Sequence, residues 1–179
     1  NNDFYNIDRI KLDRLIQNCR APISENKGEP HSCLASEQGG YLKHMAPNVK
    51  GGTFAWLDPS AAYVNSRAFS SMLEDLVAPF LSRQVDVVAG IDAAGFVLGG
   101  ALAVRLGIGF LTIRKAGKLP VPTDQVNFVN YTQRQQTMEL RDPAIRSGTK
   151  VLIVDQWVET GGTMSAGIEL IERQGGEIV

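Results

Sequence analysis

The chain has 179 residues, 44% of them apolar and 21% charged, and a formal net charge of −1. That length suits one domain able to bury a sheet between helices, with the composition of an ordinary globular protein. The near-neutral charge provides no whole-protein field for nucleic acid, and no run of about 18 apolar residues is present to span a membrane.

The first residues, NNDFYNIDRIKLDR, lack the apolar core of a secretory signal. Cys19 and Cys33 read as free thiols in a reducing cytoplasm, since a chain of this size needs no disulfide framework. Ile10, Leu12, Leu15 and Ile16 fall at roughly helical spacing and predict a first helix between about Ile7 and Cys19. From Ala21 to Lys50 glycine, proline and polar residues dominate, which predicts a small irregular N-terminal lobe over residues 1–52 and a core domain over 53–179. His31 and His44 share no metal-ligand spacing and read as surface or structural residues. Asn65 or Ser66 is placed to cap a helix whose Phe69, Met72, Leu73, Leu76, Val77 and Phe80 line one face.

Val85–Ile91 is a compact apolar strand that ends at Asp92. Gly95–Leu106 follows as a helix closed by Gly107. Phe110–Ile113 is the next strand, and it runs into Arg114-Lys115-Ala116-Gly117-Lys118, three cations within five residues. Pro120 to Gln136 is polar and without periodicity, which reads as a long loop of the kind that serves as a lid. Thr149–Val154 is a further strand, and Met164, Ile168 and Ile171 mark a helix ended by Gly175-Gly176. Glu177-Ile178-Val179 opens one more strand. The alternation predicts an α/β fold, a mainly parallel sheet flanked by helices.

Within this order the stretch Val151–Thr163, VLIVDQWVETGGT, carries the most chemistry. A buried parallel strand runs straight into Asp155, and its carboxyl end is where open α/β sheets place ligands. Thr160-Gly161-Gly162-Thr163 then curls into a helix, so amides, hydroxyls and the helix's positive end form an anion cradle suited to phosphate. Asp155 beside it suits hydroxyls or a hydrated metal, which together suggest a sugar phosphate. Trp157 reads either as a shield over the site or as packing against the sheet, the latter preferred. Neither a Walker loop nor a G-x-G-x-x-G fingerprint is present, which removes P-loop kinases and Rossmann dehydrogenases.

VLIVDQWVETGGT resembles the phosphoribosyl-pyrophosphate signature of the type I phosphoribosyltransferases. Gly90–Pro120, GIDAAGFVLGGALAVRLGIGFLTIRKAGKLP, is similar to the pyrophosphate loop, helix, strand and basic turn of the adenine branch. A fainter likeness lies in PNVKGGTFAWLDP, Pro47–Pro59. The resemblance implies displacement of pyrophosphate from a ribose anomeric carbon by a purine nitrogen, with Mg²⁺, in a cytoplasmic homodimer that binds neither nucleic acid nor membrane. It assigns the 5′-phosphate to Thr160, Gly161, Gly162 and Thr163, and the ribose hydroxyls and metal-bound water to Asp155 with Gln156 beside it. It assigns pyrophosphate to Asp92, Ala93, Ala94, Gly95, Arg114, Lys115 and Lys118. Glu159 matches the acid/base of the hypoxanthine-guanine branch, Tyr131 a lid residue, and Phe54 a residue stacked on the base. Gln156 stands where the family has a second acid, Ala94 where it has an arginine, and Asn130 where the adenine branch has a catalytic glutamate. Those three changes carry the alternative reading, a module that binds phosphoribosyl pyrophosphate or a nucleotide without turnover.

Overall fold

A computed structural model describes residues 38–47, 57–130 and 132–179. The chain forms two compact units, Asn1–Leu76 and Val77–Val179. The sequence-based division at 52/53 falls among residues outside those described, as do the helix expected near Ile7–Cys19, both cysteines and His31.

In the first unit, a 3-10 turn Gly40–His44 precedes β1 (Ala46–Pro47), which pairs antiparallel with β2 (Leu57–Asp58). Asp58 Oδ1 accepts from the N–H and hydroxyl of Ser60, at 3.1 and 2.6 Å, and so starts α1 (Ser60–Val64). α2 (Ser66–Val77) begins as the sequence predicts: Asn65 Oδ1 accepts from the Ala68 N–H at 3.0 Å, answering one of the orphan donors of the first turn.

The second unit is built on a six-stranded sheet. Its strands are β3 (Val87–Ile91), β4 (Gly109–Lys115), β5 (Thr123–Val129), β6 (Gln135–Arg141), β7 (Lys150–Val154) and β8 (Glu177–Ile178), in the order β5-β6-β4-β3-β7-β8. β4, β3, β7 and β8 run parallel, whereas β5 and β6 form an antiparallel hairpin beside β4. The expected parallel α/β core is therefore present, with an antiparallel pair added at one edge.

That hairpin corrects the sequence reading, which left Pro120–Gln136 as a loop. β5, TDQVNFV, buries Val126 and half-buries Phe128 on one face while polar residues occupy the other. Period-two alternation with Asn and Gln on the open face resembles an unstructured polar run unless its partner strand is known.

α3 (Gly95–Leu106) connects β3 to β4, and α4 (Gly162–Arg173) connects β7 to β8. Gly107, at φ 69°, ends α3 by donating to the Ala103 and Val104 carbonyls, the left-handed cap the sequence predicts. α4 packs over a continuous core of Ala89, Ile91, Ile113, Val126, Met138 and Leu140, set by the odd–even alternation of the strands. Truncating one of these large aliphatic residues to Ala costs about 2–5 kcal/mol. α3 lies on the opposite face, where a Cβ on Gly90 would stand 2.6 Å from the Gly95 carbonyl oxygen.

Candidate active site

Register decides which segments meet. Ile91 of β3 pairs with Ile113 of β4, and Gly90 pairs with Val154 of β7, so three parallel strands end side by side. The chain leaves β3 for β4 on one side and pairs with β7 on the other, the switch point at which open α/β sheets form a crevice. Three segments extend from this edge: residues 92–94, the turn after Lys115, and residues 155–161.

The first leads from β3 into α3. The Asp92 N–H donates to the Ile113 carbonyl at 2.9 Å, and the Asp92–Ala93 peptide is cis. The Ala93 and Ala94 carbonyls accept from Phe96 and Val97, both at 3.1 Å, so the first turn of α3 opens onto this edge. α3 reaches the edge closely because residue 95 is glycine: a Cβ there would lie 2.5 Å from the Val154 carbonyl oxygen and 3.3 Å from the Asp155 Cα. The expected pyrophosphate segment Asp92–Gly95 and the expected ribose acid Asp155 are thereby neighbours.

The basic residues divide. Arg114 and Lys115 are the last residues of β4 rather than part of the turn after it. Arg114 Nε lies 3.4 Å from Asp92 Oδ2, Nη1 lies 3.4 Å from the Lys118 carbonyl, and the guanidinium is 5.7 Å from the Phe96 ring centre. Its charge is already shared with an internal partner. Lys115 and Lys118 are exposed.

The sequence reading missed Glu139. It is only 2% exposed, on β6, in register with Arg114. Oε1 accepts from the N–H groups of Lys118 and Leu119 at 2.7 and 2.8 Å, and Oε2 lies 3.4 Å from Thr123 Oγ1 and from Gln125 Nε2. Burial pushes this carboxyl up, but the backbone N–H groups of Gly117, Leu119 and Lys118 and the Thr123 hydroxyl outweigh it and hold the group below its ordinary value. In the sequence it is one charge between Met138 and Leu140, which strand alternation assigns to the open face; only the folded turn at Lys118 and Leu119 covers it.

Asp155 shows the opposite balance. Burial raises its carboxyl above the ordinary value, and the Gln156 N–H, donating to Oδ1 at 2.7 Å, offsets this only in part. A desolvated carboxylate with its charge incompletely answered is suited to ligand hydroxyls or a cation.

Beyond it, Trp157, Val158, Glu159 and Thr160 are exposed. Trp157, at 40% exposure, does not bury itself against the sheet as expected, because the chain has already left the strand end two residues earlier. Gly161, at φ 81°, makes the turn that only glycine adopts without strain, and its carbonyl accepts from Ser165 at 2.8 Å as α4 begins. Gly162 is required for space: a Cβ would stand 2.4 Å from the Val129 carbonyl oxygen, at the end of β5. Thr163 is half-buried in the first turn of α4.

At the hairpin tip, Asn130 Oδ1 accepts from the Thr132 N–H and hydroxyl at 3.0 and 2.7 Å and from the Arg134 N–H at 3.0 Å. Its side chain folds the turn, an Asx arrangement. Tyr131 and Phe54 lie outside the described residues, so the expected lid and base-stacking positions are not located.

Two strand-terminal loops with first-turn amides, two exposed lysines and one desolvated acid thus share an edge suited to a doubly anionic, hydroxylated ligand. Residues 62–179 match the phosphoribosyl transferase domain, about two-thirds of the chain. The chain belongs to the phosphoribosyltransferase family. Among its relatives, the adenine phosphoribosyltransferase of Cereibacter sphaeroides (strain ATCC 17023) is 44% identical over 122 residues, 68% of each chain. That of Jannaschia sp. (strain CCS1) is 43% identical over 123 residues, again 68% of each. Among solved structures, the adenine phosphoribosyltransferase of Rhodothermus marinus superposes with a TM-score of 0.72 at 33% identity, covering 78% of this chain and 80% of that one. The Giardia lamblia enzyme in complex with 9-deazaadenine gives 0.74 at 29% identity, covering 80% and 82%. The two segments that carry the resemblance, Gly90–Pro120 and Val151–Thr163, lie on adjacent strands through the Gly90–Val154 register pair.

Proposed function

We propose that this phosphoribosyltransferase moves the phosphoribosyl group of phosphoribosyl pyrophosphate onto adenine, giving AMP and pyrophosphate. The observation that supports the reading is the closeness of Gly95 to Asp155, which brings the acid and the two loops to one strand edge. In the reaction the bond from that carbon to pyrophosphate oxygen breaks, a bond to a purine nitrogen forms, and the nitrogen's proton departs. Thr160, Gly161, Gly162 and Thr163 hold the 5′-phosphate at the start of α4. Asp155 and Gln156 orient the ribose hydroxyls, and the negative charge of Asp155 offsets the positive charge that develops on the sugar ring. Asp92–Gly95, Lys115 and Lys118 receive the pyrophosphate, with Arg114 shared between it and Asp92.

Glu159 lies four residues past Asp155 in the same loop and is the acid available to take or give the base's proton. The Asn130 side chain cannot substitute for an acid, being an amide already engaged at the hairpin tip. Tyr131 and Phe54 are the proposed lid and base-stacking residues. Among the described residues no group of three or more His, Cys, Asp or Glu side chains encloses a metal. One strand-end carboxylate is what a Mg²⁺ carried on substrate oxygens requires. Asp155 would hold it through water or the ribose hydroxyls, and the ion would neutralise pyrophosphate charge. A cytoplasmic homodimer completes the proposal; no helix among the described residues is long and apolar enough to cross a membrane.

The test is pyrophosphate release from phosphoribosyl pyrophosphate and Mg²⁺ with a panel of purine and pyrimidine bases. Release with adenine supports the proposal. Saturable binding without release for every base would leave the chain a binding module, the reading that Gln156, Ala94 and Asn130 favour. With Glu159→Gln, turnover should fall far more than substrate affinity, and equal activity would remove Glu159 from the proton transfer.

A further inference from the structure

The basic turn after β4 has no regular secondary structure of its own, yet it is held from two directions. Below it, the fully buried Glu139 accepts from the Lys118 and Leu119 N–H groups, at 2.7 and 2.8 Å, through one carboxylate oxygen. Above it, Arg114 Nη1 lies 3.4 Å from the Lys118 carbonyl, while the same guanidinium sits 3.4 Å from Asp92. Glu139 Oε2 is in turn fixed by Thr123 and Gln125 of β5, each at 3.4 Å. A line of contacts therefore runs from the β5–β6 hairpin, through one buried carboxylate, to the backbone that carries Lys118, and on to the loop at Asp92. Burying a carboxylate costs more than a surface turn alone requires, because hydrophobic packing at position 139 closes a β6–β4 pair without any charge.

We propose that Glu139 is a positioning residue for leaving-group recognition: it shapes the turn at residues 116–119 so that Lys118 faces pyrophosphate beside Lys115 at the end of β4, without itself touching substrate. The inference rests on the phosphoribosyl transfer proposed above. It predicts a split that general loss of structure does not produce. Ligands carrying pyrophosphate depend on Glu139, whereas AMP, held through its 5′-phosphate by residues 160–163, does not.

The experiment measures dissociation constants of the full chain for phosphoribosyl pyrophosphate with Mg²⁺, for inorganic pyrophosphate with Mg²⁺, and for AMP, in wild type and Glu139→Gln. The amide keeps the shape of the carboxylate but loses its charge and its second acceptor oxygen. The expected result is about a tenfold weakening for both pyrophosphate ligands, the size of one lost charge-assisted hydrogen-bond set, with AMP within about twofold of wild type. Equal weakening of all three ligands, or no change in any, overturns the proposal. If Glu139→Gln does not fold, Thr123→Val decides: it loosens Oε2 and leaves the buried carboxylate in place. A selective weakening of about threefold for the pyrophosphate ligands supports the proposal, and a uniform or absent effect overturns it. Failure of wild type to bind phosphoribosyl pyrophosphate at all would instead strike the underlying transfer reading.

Discussion

Two acids at the same edge of one sheet, Asp155 and Glu139, have opposite surroundings. Glu139 is the more deeply buried, yet backbone N–H groups and hydroxyls inside the protein answer its charge, and its carboxyl is held below the ordinary value. Asp155 is only half-buried but receives one identified backbone bond, and its carboxyl is pushed above the ordinary value. The contrast separates a group whose charge is met within the fold from one whose charge is met only in part, as the ligand-binding role proposed for Asp155 requires. Depth of burial alone does not make that distinction; the supply of donors does.

The strongest way to sharpen this comparison is Asp155→Asn. Turnover should drop by about 100-fold or more, the usual loss when a transition-state charge partner is removed, read as pyrophosphate release. The apo protein should melt at the same temperature as wild type or slightly higher at pH 7, because the substitution removes a desolvated charge. A large fall in melting temperature would place Asp155 with Glu139 among the groups that hold the fold.

Gly162→Ala comes next. Its Cβ has to displace the Val129 carbonyl, and the overpacking should cost about 1–3 kcal/mol in chemical denaturation, with weakened AMP binding. Gly161→Ala instead forces a left-handed backbone on a residue with a side chain, at about 1–2 kcal/mol, with the hairpin undisturbed.

The smallest effect is in pH dependence, where the two acids should move in opposite directions. The native value of Glu139 lies below its ordinary 4.5, so its stabilisation is complete above that pH and is lost as pH falls through the depressed value. Asp155 has a native value above its ordinary 3.8, so the protein gains stability from its protonation as pH falls through the raised value. The melting-temperature gap between wild type and Glu139→Gln should therefore narrow below pH 4.5. The gap between Asp155→Asn and wild type should close as Asp155 protonates. Parallel pH profiles for the two variants would erase the distinction between the acids.

The same contrast explains what was legible in the sequence. β3, α3, β4, β7 and α4 were readable because buried parallel strands appear as unbroken apolar runs, and because Gly107 and Gly161-Gly162 mark turns with a mechanism. The hairpin was not, since TDQVNFV intersperses its apolar residues with polar ones and QQTMELR buries a glutamate between Met138 and Leu140. With it went Glu139, whose importance exists only once β6 is placed against β4. The strand-end acid and the glycine turn into α4 were visible in VLIVDQWVETGGT as local features. That Arg114 is engaged by Asp92, twenty-two residues away in sequence, depends on the register of two strands and on no feature of the basic turn itself.

The contact at Gly162 gives the site a property its other connections lack. The Asp92–Arg114 pair and the Glu139 contacts act through charge and hydrogen bonds, so ionic strength and acidity modulate them. The link between the start of α4 and the root of the hairpin is a bare surface-to-surface fit between Gly162 and the Val129 carbonyl. Neither salt nor protons weaken it. The start of α4 and the end of β5 therefore stay fitted together under all conditions in which the domain is folded.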